Sequence, residues 1–166
     1  MSQIRAPKVL ILVGLPGSGK STWAAGRKGA VTLSSDQMRL LLSGDETNQS
    51  IHGRVFAAMR YMLRERLRLQ QALTIIDATN IRRKDRKPFL KIVERYGAVA
   101  EAIYFDVPLD TALRRNEGRV RRVPTEAIAS MSNRMQVPKQ EEGFAAIYRV
   151  TSSDGLTKAK RRLASK

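Results

Sequence analysis

A glycine-rich segment near the start of the sequence constrains the fold more than any other feature. Residues 14–21, Gly-Leu-Pro-Gly-Ser-Gly-Lys-Ser, fit the pattern G-x-x-x-x-G-K-[ST] in full. The apolar run 8–13 before them predicts a buried parallel strand, and 21–27 after them predicts a helix. Glycines let backbone N–H groups turn inward around phosphate oxygens, because no Cβ stands in the way. The segment is therefore predicted to form a phosphate-binding loop, or P-loop.

The side chains at the end of this loop predict a site for a nucleotide and its metal ion. Lys20 is expected to reach the β- and γ-phosphates of ATP, and the hydroxyl of Ser21 to ligate Mg²⁺. The helix that follows adds its positive amino-terminal end to this site. We predict nucleotide contacts from nine consecutive residues, Gly14, Leu15, Pro16, Gly17, Ser18, Gly19, Lys20, Ser21 and Thr22.

The rest of the chain alternates between predicted strands and predicted helices. Strands are expected at 31–34, 73–77, 98–105 and 145–150, and helices at 36–42, 51–71, 83–96, 109–116 and 124–135. This alternation predicts an α/β three-layer sandwich, with a central parallel sheet of about five strands and helices on both faces. The length of 166 residues fits a single domain, 1–166, whose end from about 155 onward is basic.

The charge balance of the chain points to an anionic partner. Lys and Arg number 31 against 15 Asp and Glu, which gives a formal net charge of +16. Such an excess repels itself in a compact fold and attracts polyanions, so nucleic acid is the first partner to consider. Clusters of positive charge lie at Arg60, Arg64 and Arg68, at 82–87 and at 158–166. The alternative is a solvated basic surface that only aids solubility.

The chain contains no cysteine, which excludes disulfides, thiolate metal sites and a cysteine nucleophile. This composition is compatible with a reducing cytoplasm, and we expect a cytoplasmic protein. The apolar run 8–13 is too short to span a bilayer and leads into a glycine loop, so we expect no membrane anchor. We also predict no obligate protein partner.

Two polar positions follow the second predicted strand and suit an acceptor site. A carboxylate at Asp36 can accept the proton of an attacking hydroxyl, while Arg39, three residues later, holds an anionic part of the acceptor. The alternative is that Ser35 or Asp36 only caps the following helix.

The third predicted strand ends in Asp77-Ala-Thr-Asn80. A carboxylate after an apolar strand in a P-loop protein suggests a position near the metal or the acceptor, and Asn80 is placed to bind a ligand. Either residue can instead be a plain turn former.

An arginine-rich run at 114–122 predicts a mobile lid over phosphates, with a solvated charge run as its alternative. For His52, the only histidine, we expect a surface or packing role, and for Trp23 we expect core packing.

The ordered set of motifs resembles the kinase domain of phage-type 5′-hydroxyl polynucleotide kinases. The resemblance covers nearly the whole chain and rests on GLPGSGKSTWA, SSDQMR, DATN, FDVPL, RRNEGR, RVPTEAIASM and VPKQEEGF. It implies transfer of the γ-phosphate of ATP to the 5′-hydroxyl of an RNA or DNA end, with no membrane involved. The resemblance also implies roles for individual residues. By this resemblance the catalytic residues are Lys20, Asp36 (the general base), Arg39, Asp77 and Arg119, and the lid residues that contact the donor are Arg115 and Arg119. The acceptor would be bound by Asp36, Arg39 and Asn80, and Mg²⁺ would be bound at Ser21, with Asp77 acting through water.

The chain departs from that family pattern in two ways. Its length leaves no room for the 3′-phosphatase or ligase fused to the best-known members, so no such activity is expected. Gln37 also stands beside Asp36 where two adjacent acids are frequent, which leaves Asp36 as the sole base candidate on that loop. Two other functions stay open, a P-loop kinase of a small acceptor (a nucleoside, a nucleotide-sugar or an antibiotic) and a nucleic-acid-binding protein that uses ATP as a switch.

Overall fold

Five parallel strands form one sheet in a computed structural model that describes residues 6–151. The strands are β1 (Lys8–Val13), β2 (Val31–Ser34), β3 (Leu73–Asp77), β4 (Val99–Phe105) and β5 (Ala146–Val150). Their order across the sheet is β2-β3-β1-β4-β5. The helices are α1 (Lys20–Ala25), α2 (Ser35–Ser43), α3 (His52–Arg68), α4 (Arg83–Arg95), α5 (Leu109–Glu117) and α6 (Thr125–Asn133), with 3₁₀ turns at Gln49–Ile51 and Gln140–Glu142.

Two apolar cores, one on each face of the sheet, make the three layers. Alternate residues of a strand point to opposite faces, so Val9 and Ile11 of β1 pack against α3 and α4, whereas Leu10 and Leu12 pack on the other face. Trp23 of α1 is 1% exposed and meets the latter pair, which confirms its predicted packing role. The predicted α/β sandwich and its parallel sheet are therefore confirmed.

The predicted element bounds agree with the structure to within about three residues. Helix α3 ends at Arg68 rather than at 71, where Gln70 adopts a left-handed φ of 53° and the chain turns into β3. The two 3₁₀ turns were absent from the prediction, because so short a segment carries no periodic pattern. The predicted basic segment 158–166 lies outside the described residues. No helix within residues 6–151 combines the length and apolar character that crossing a bilayer requires.

A buried ion pair joins α4 to the segment before β5. The guanidinium of Arg86 is 0% exposed and donates to both carboxylate oxygens of Glu142, at 2.8 and 2.6 Å. Its third contact, from Nη1 to the carbonyl oxygen of Asn80 at 2.9 Å, reaches the turn that follows β3. Because a buried charge is costly unless it is paired and hydrogen-bonded, these three contacts fix how α4 and that turn sit together.

We expect Glu142→Gln to lower the free energy of unfolding by about 3–5 kcal/mol, because it leaves the Arg86 guanidinium buried and uncompensated. The double variant Arg86→Met/Glu142→Met should recover much of that loss. Urea denaturation measures both. Asp106→Asn, which removes the partner of the exposed Arg149 side chain, is the control and should cost less than about 1 kcal/mol. An equally small loss for Glu142→Gln would contradict the role given to this pair.

Candidate active site

A pocket of about 670 Å³ opens where three neighbouring strands end. The P-loop follows β1, the start of α2 follows β2, and Asp77 closes β3. Ligands of open parallel sheets bind beyond the carboxyl ends of the strands. The wall facing these segments comes from α3, α6 and the arginine-rich run, through His52, Phe56, Arg115, Arg119, Arg121, Val123, Pro124, Ala127 and Met131.

The P-loop is folded so tightly that two of its glycines cannot be replaced without a shift. Gly17 has a φ of 81°, and a Cβ on it would lie 2.5 Å from the carbonyl oxygen of Ala112 in α5. A Cβ on Gly14 would lie 2.8 Å from Ser18 Oγ. Of the nine predicted contact residues, six line the pocket, namely Pro16, Gly17, Gly19, Lys20, Ser21 and Thr22. The other three, Gly14, Leu15 and Ser18, are buried below them.

The lysine of the loop is held inside it by oxygen atoms. Lys20 Nζ donates to the carbonyl oxygen of Leu15 at 2.7 Å and to Ser18 Oγ at 3.4 Å. Burial lowers the pKa of Lys20 to about 8, although the nearby charge of Asp77 acts in the opposite direction. The ammonium group is therefore desolvated next to the pocket, where an anionic ligand would stabilise its charged form.

The two residues expected near the metal are in direct contact. Ser21 Oγ donates to Asp77 Oδ2 at 2.8 Å. Burial raises the pKa of the Asp77 carboxyl, and the Ser21 hydrogen bond and the charge of Lys20 oppose that rise. Mg²⁺ prefers hard oxygen ligands and keeps several waters, so a hydroxyl and a carboxylate at the P-loop end suit it. These residues fit the predicted Mg²⁺ site.

Asp36 lies between two guanidinium groups. Its Oδ1 is 3.1 Å from Arg39 Nη1 and 3.1 Å from Arg121 Nη1, and its side chain is 46% exposed. The helix cap of α2 is Ser34, whose side chain accepts from Gln37 N. Neither Ser35 nor Asp36 therefore makes the capping hydrogen bond, and the Asp36 carboxylate is free to face the pocket.

Arg39 connects this carboxylate to a histidine on the pocket wall. The side chain of Arg39 is 6% exposed, and its Nη2 is 3.4 Å from His52 Nδ1. The His52 ring stands 4.7 Å from that of Phe56, between centroids. Burial and the charge of Arg39 lower the pKa of His52, which favours a neutral imidazole. His52 is exposed and packs on Phe56, in agreement with the surface or packing role expected for it, and it also lines the pocket, which was not predicted.

The arginine-rich run forms a loop that is closed at its base. Asn116 is 4% exposed and makes two hydrogen bonds with the backbone of Val123, at 2.7 and 2.9 Å. Between them the loop carries Arg119 and Arg121 to the pocket, and Arg115 joins them from α5. Motion of this loop as a lid stays a prediction.

Asn80 is the one acceptor-binding candidate that does not line the pocket. It is 2% exposed, has a left-handed φ of 46°, and donates through Nδ2 to the carbonyl oxygen of Leu12 at 2.8 Å. Its side chain thus ties the turn after β3 to the strand that leads into the P-loop. A contact between Asn80 and an acceptor stays a prediction.

Two ionisable residues of the pocket lining were not predicted as individual site residues, Arg121 and His52. Arg121 stands in the run that predicted the lid, but nothing in the sequence distinguishes it from its neighbours. Its contact with Asp36 spans 85 positions and depends on how the loop folds back. His52 carried no signal, because its contact with Arg39 depends on the packing of α3 beside α2.

Comparison with known families places this site in a wider group. The family model AAA_33, described as an AAA domain, matches residues 9–138. The chain belongs to the AAA_33 family. The matched residues include the P-loop, Asp36, Asp77 and the arginine-rich loop, so they contain most of the site described above.

Relatives of this AAA_33 chain include kinases. The L-seryl-tRNA(Sec) kinase of Methanococcus maripaludis is 28% identical over 138 residues, which cover 78% of this chain and 53% of that protein. A chain in the structure of the Pnkp1/Rnl/Hen1 RNA repair complex is 26% identical with a TM-score of 0.69, covering 82% of this chain and 46% of that one. The chain thus spans about half the length of these two proteins.

A third match extends over nearly the whole of both chains. The APS kinase CysC of Mycobacterium tuberculosis, solved with AMPPNP and APS, has a TM-score of 0.63 at 18% identity and covers 97% of this chain and 99% of that one. At this identity the likeness shows the P-loop kinase fold alone.

The pKa of Lys20 makes nucleotide affinity depend on pH. The free protein loses the Lys20 proton at about pH 8, whereas bound phosphates favour the charged amine. Affinity for a nonhydrolysable ATP analogue should therefore fall as pH rises through 8, and binding at pH 8.5 should take up a proton. Calorimetry in buffers of different ionisation enthalpy measures this uptake. Lys20→Ala should bind more weakly without the uptake, and identical uptake in that variant would refute the assignment.

Proposed function

We propose that this protein is an ATP-dependent kinase of polynucleotide 5′-hydroxyl ends, similar to the phage-type enzymes. The observation that carries the proposal is the position of Asp36, a carboxylate held by Arg39 and Arg121 in the same pocket as the P-loop lysine. One pocket thus contains a proton acceptor, two groups that attract an anionic acceptor, and a loop built for phosphates.

In this reaction the protein positions the reactants and stabilises charge rather than forming covalent bonds itself. The 5′-hydroxyl oxygen forms a bond to the γ-phosphorus, the bond from that phosphorus to the β,γ-bridging oxygen breaks, and ADP leaves. The hydroxyl proton passes to the carboxylate of Asp36. Arg39, almost fully buried, holds Asp36 in place and has a second face toward His52, where a phosphate next to the reacting end can bind.

The donor side uses residues of the P-loop, Asp77 and the arginine-rich loop. Lys20 would contact the β- and γ-phosphates, and Ser21 with Asp77 would hold Mg²⁺, which neutralises phosphate charge when bound. Arg115 and Arg119 would contact the same phosphates, because their planar forks suit phosphate oxygens.

A polynucleotide acceptor is favoured by charge and by the relatives. A net charge of +16 gives little benefit to a kinase of small metabolites, whereas a polynucleotide brings a phosphate at every step. The names of two relatives connect them with RNA, since one is the L-seryl-tRNA(Sec) kinase and the other is Pnkp1 of an RNA repair complex. The chain has only four Phe, four Tyr and one Trp, so we expect few stacked bases. We therefore expect contacts mainly to the sugar-phosphate backbone of the acceptor, with weak sequence preference.

A kinase of a smaller hydroxyl acceptor is the second candidate. The pocket wall formed by Val123, Ala127 and Met131 is apolar and can enclose a compact group. The relative named L-seryl-tRNA(Sec) kinase supports an acceptor that contains RNA, but its name does not point to a 5′-hydroxyl end in particular.

End labelling distinguishes the two candidates. The purified protein is incubated with γ-labelled ATP and with 5′-hydroxyl RNA, 5′-hydroxyl DNA, a nucleoside 3′-monophosphate, a free nucleoside or a seryl-tRNA. We expect label on the oligonucleotide ends and, more weakly, on the nucleoside 3′-monophosphate. Label on the free nucleoside or seryl-tRNA alone would refute the polynucleotide proposal, and so would the absence of label from both oligonucleotides.

Asp36→Asn tests the proton acceptor. It should lower kcat by about 10²–10⁴-fold, because it removes the base and keeps the shape of the side chain. Affinity for the ATP analogue should change by less than about twofold, since Asp36 lies on the acceptor side. Glu94→Gln, which neutralises an exposed acid on α4, is the control and should leave kcat unchanged. Normal turnover by Asp36→Asn would reduce this residue to a partner of its two arginines.

A further inference from the structure

A second groove lies outside the active-site pocket, along the first turns of α4. It has a volume of about 630 Å³ and runs between that helix and the chain that follows α6. Its walls are strongly basic, and its lining residues are Arg82, Arg83, Lys84, Lys87, Leu90, Gln136 and Glu142.

Most of this positive charge has no counter-charge. Arg82 pairs with Asp85 at 3.0 Å, and Glu142 is occupied by the buried Arg86. Arg83, Lys84 and Lys87 are exposed and form no ion pair with any residue in the described range 6–151. Like charges on one helical turn destabilise that turn. An anion bound in the groove would offset this repulsion and would itself be stabilised by the positive charges.

The backbone amide at the start of α4 is already satisfied. Arg83 N donates to Gln136 Oε1 at 2.8 Å, and Gln136 N donates to the carbonyl oxygen of Ile81 at 2.8 Å. An anion in the groove therefore meets the long basic side chains rather than the helix end. A lysine side chain contacts a phosphate as a flexible point charge, and an arginine side chain contacts it with its planar guanidinium group.

The groove adjoins the acceptor side of the pocket. Arg82 and Asp85 lie close enough to His52 for their charges to act on its pKa, and His52 is part of the pocket wall. From the other side, Met131 of the same wall precedes Gln136 by five positions. A strand whose end enters beside His52 thus meets the groove within a short reach.

We propose that this groove binds the phosphodiester backbone of the acceptor strand, beyond the nucleotide whose 5′-hydroxyl reacts. The inference rests on the proposed function and adds the path that the substrate takes. None of the residues within 6–151 that line the groove is aromatic, so these residues offer no platform for stacked bases and contact an anion through charge alone. A polymer with an anion at every step matches three unpaired cations on one open helix face, whereas a nucleoside 3′-monophosphate is too short to reach them.

The test compares two double variants that lose the same charges. Arg83→Gln/Lys87→Gln removes an arginine and a lysine from the groove, which lie four residues apart on one helix face. Lys28→Gln/Arg95→Gln removes an arginine and a lysine that are exposed elsewhere, in the turn after α1 and at the last residue of α4. Glutamine keeps helix propensity in α4, and thermal melting verifies that each variant folds.

Three readouts are compared with the wild type. The first is the ratio of kcat/KM for a 15-nucleotide 5′-hydroxyl strand to kcat/KM for a nucleoside 3′-monophosphate, and the groove variant should lower it about tenfold at low salt. The second is the salt slope of oligonucleotide binding by fluorescence anisotropy, which should fall by about 0.7 per lost phosphate contact. The third is binding of poly-glutamate. RNA and DNA strands are both used, since they share the phosphodiester that the groove would contact.

The control variant should leave all three readouts close to wild type. Equal losses in the two double variants would mean that only the general positive field acts, and would overturn the proposal. Poly-glutamate binding as tight as that of the oligonucleotide would overturn it in favour of an acidic protein partner. The wild type could label no acceptor while anisotropy shows weaker oligonucleotide binding in the groove variant alone. In that case the proposed function fails and the groove assignment stands.

Discussion

Two hydrogen bonds tie the turn after β3 to the end of β1 and the first residue of the P-loop, and the rest of the site depends on this connection. Asn80 Nδ2 donates to the carbonyl oxygen of Leu12 at 2.8 Å, and Gly14 N donates to that of Thr79 at 3.0 Å. The carbonyl oxygen of Asn80 in turn accepts from the buried Arg86 at 2.9 Å. Because β3 and β1 are also neighbours in the sheet, the strand that ends in Asp77 cannot move independently of the loop. The geometry of the Ser21–Asp77 contact therefore depends on buried residues outside the pocket lining, Leu12, Gly14, Asn80 and Arg86.

Positive charge exceeds negative charge around this rigid centre. The pocket holds Lys20, Arg39, Arg115, Arg119 and Arg121 against the carboxylates of Asp36 and Asp77. Burial of Lys20 lowers its pKa to about 8, so the protein bears a cost to keep a desolvated cation there. Bound phosphate groups would stabilise the charged amine of Lys20 and so offset that cost. The same imbalance continues outside the pocket at the start of α4, which makes the site and its surroundings suited to a substrate that is anionic over some length.

The sequence predicted what depends on local pattern, and missed what depends on distant contacts. The strands follow from apolar runs, and the P-loop from glycines whose left-handed φ and close packing admit no side chain, as at Gly17. The roles of Asn80 and His52 could not be predicted in the same way. The structural role of Asn80 depends on the hydrogen bond from its Nδ2 to the carbonyl oxygen of Leu12, 68 positions away, which no local pattern indicates. His52 is a surface residue, as expected, but its contact with Arg39 arises only when α3 packs beside α2.

The two arginines on Asp36 differ in how firmly they are held, and this difference relates the loop to the chemistry. Arg39 is buried on α2, so its contact persists whatever the loop does. Arg121 comes from a loop that Asn116 holds at its base and that otherwise contacts α2 and the segment after it through the ion pairs of Arg121 with Asp36 and Glu46, with a fully exposed Val120 beside them. Displacing this loop removes one of the two guanidinium contacts to Asp36 Oδ1 and leaves the other. Under the proposed function, the orientation and charge environment of the proton acceptor then depend on the same loop that brings Arg119 to the pocket. Under the same proposal, the position of this one loop would affect both the acceptor side and the donor side of the reaction.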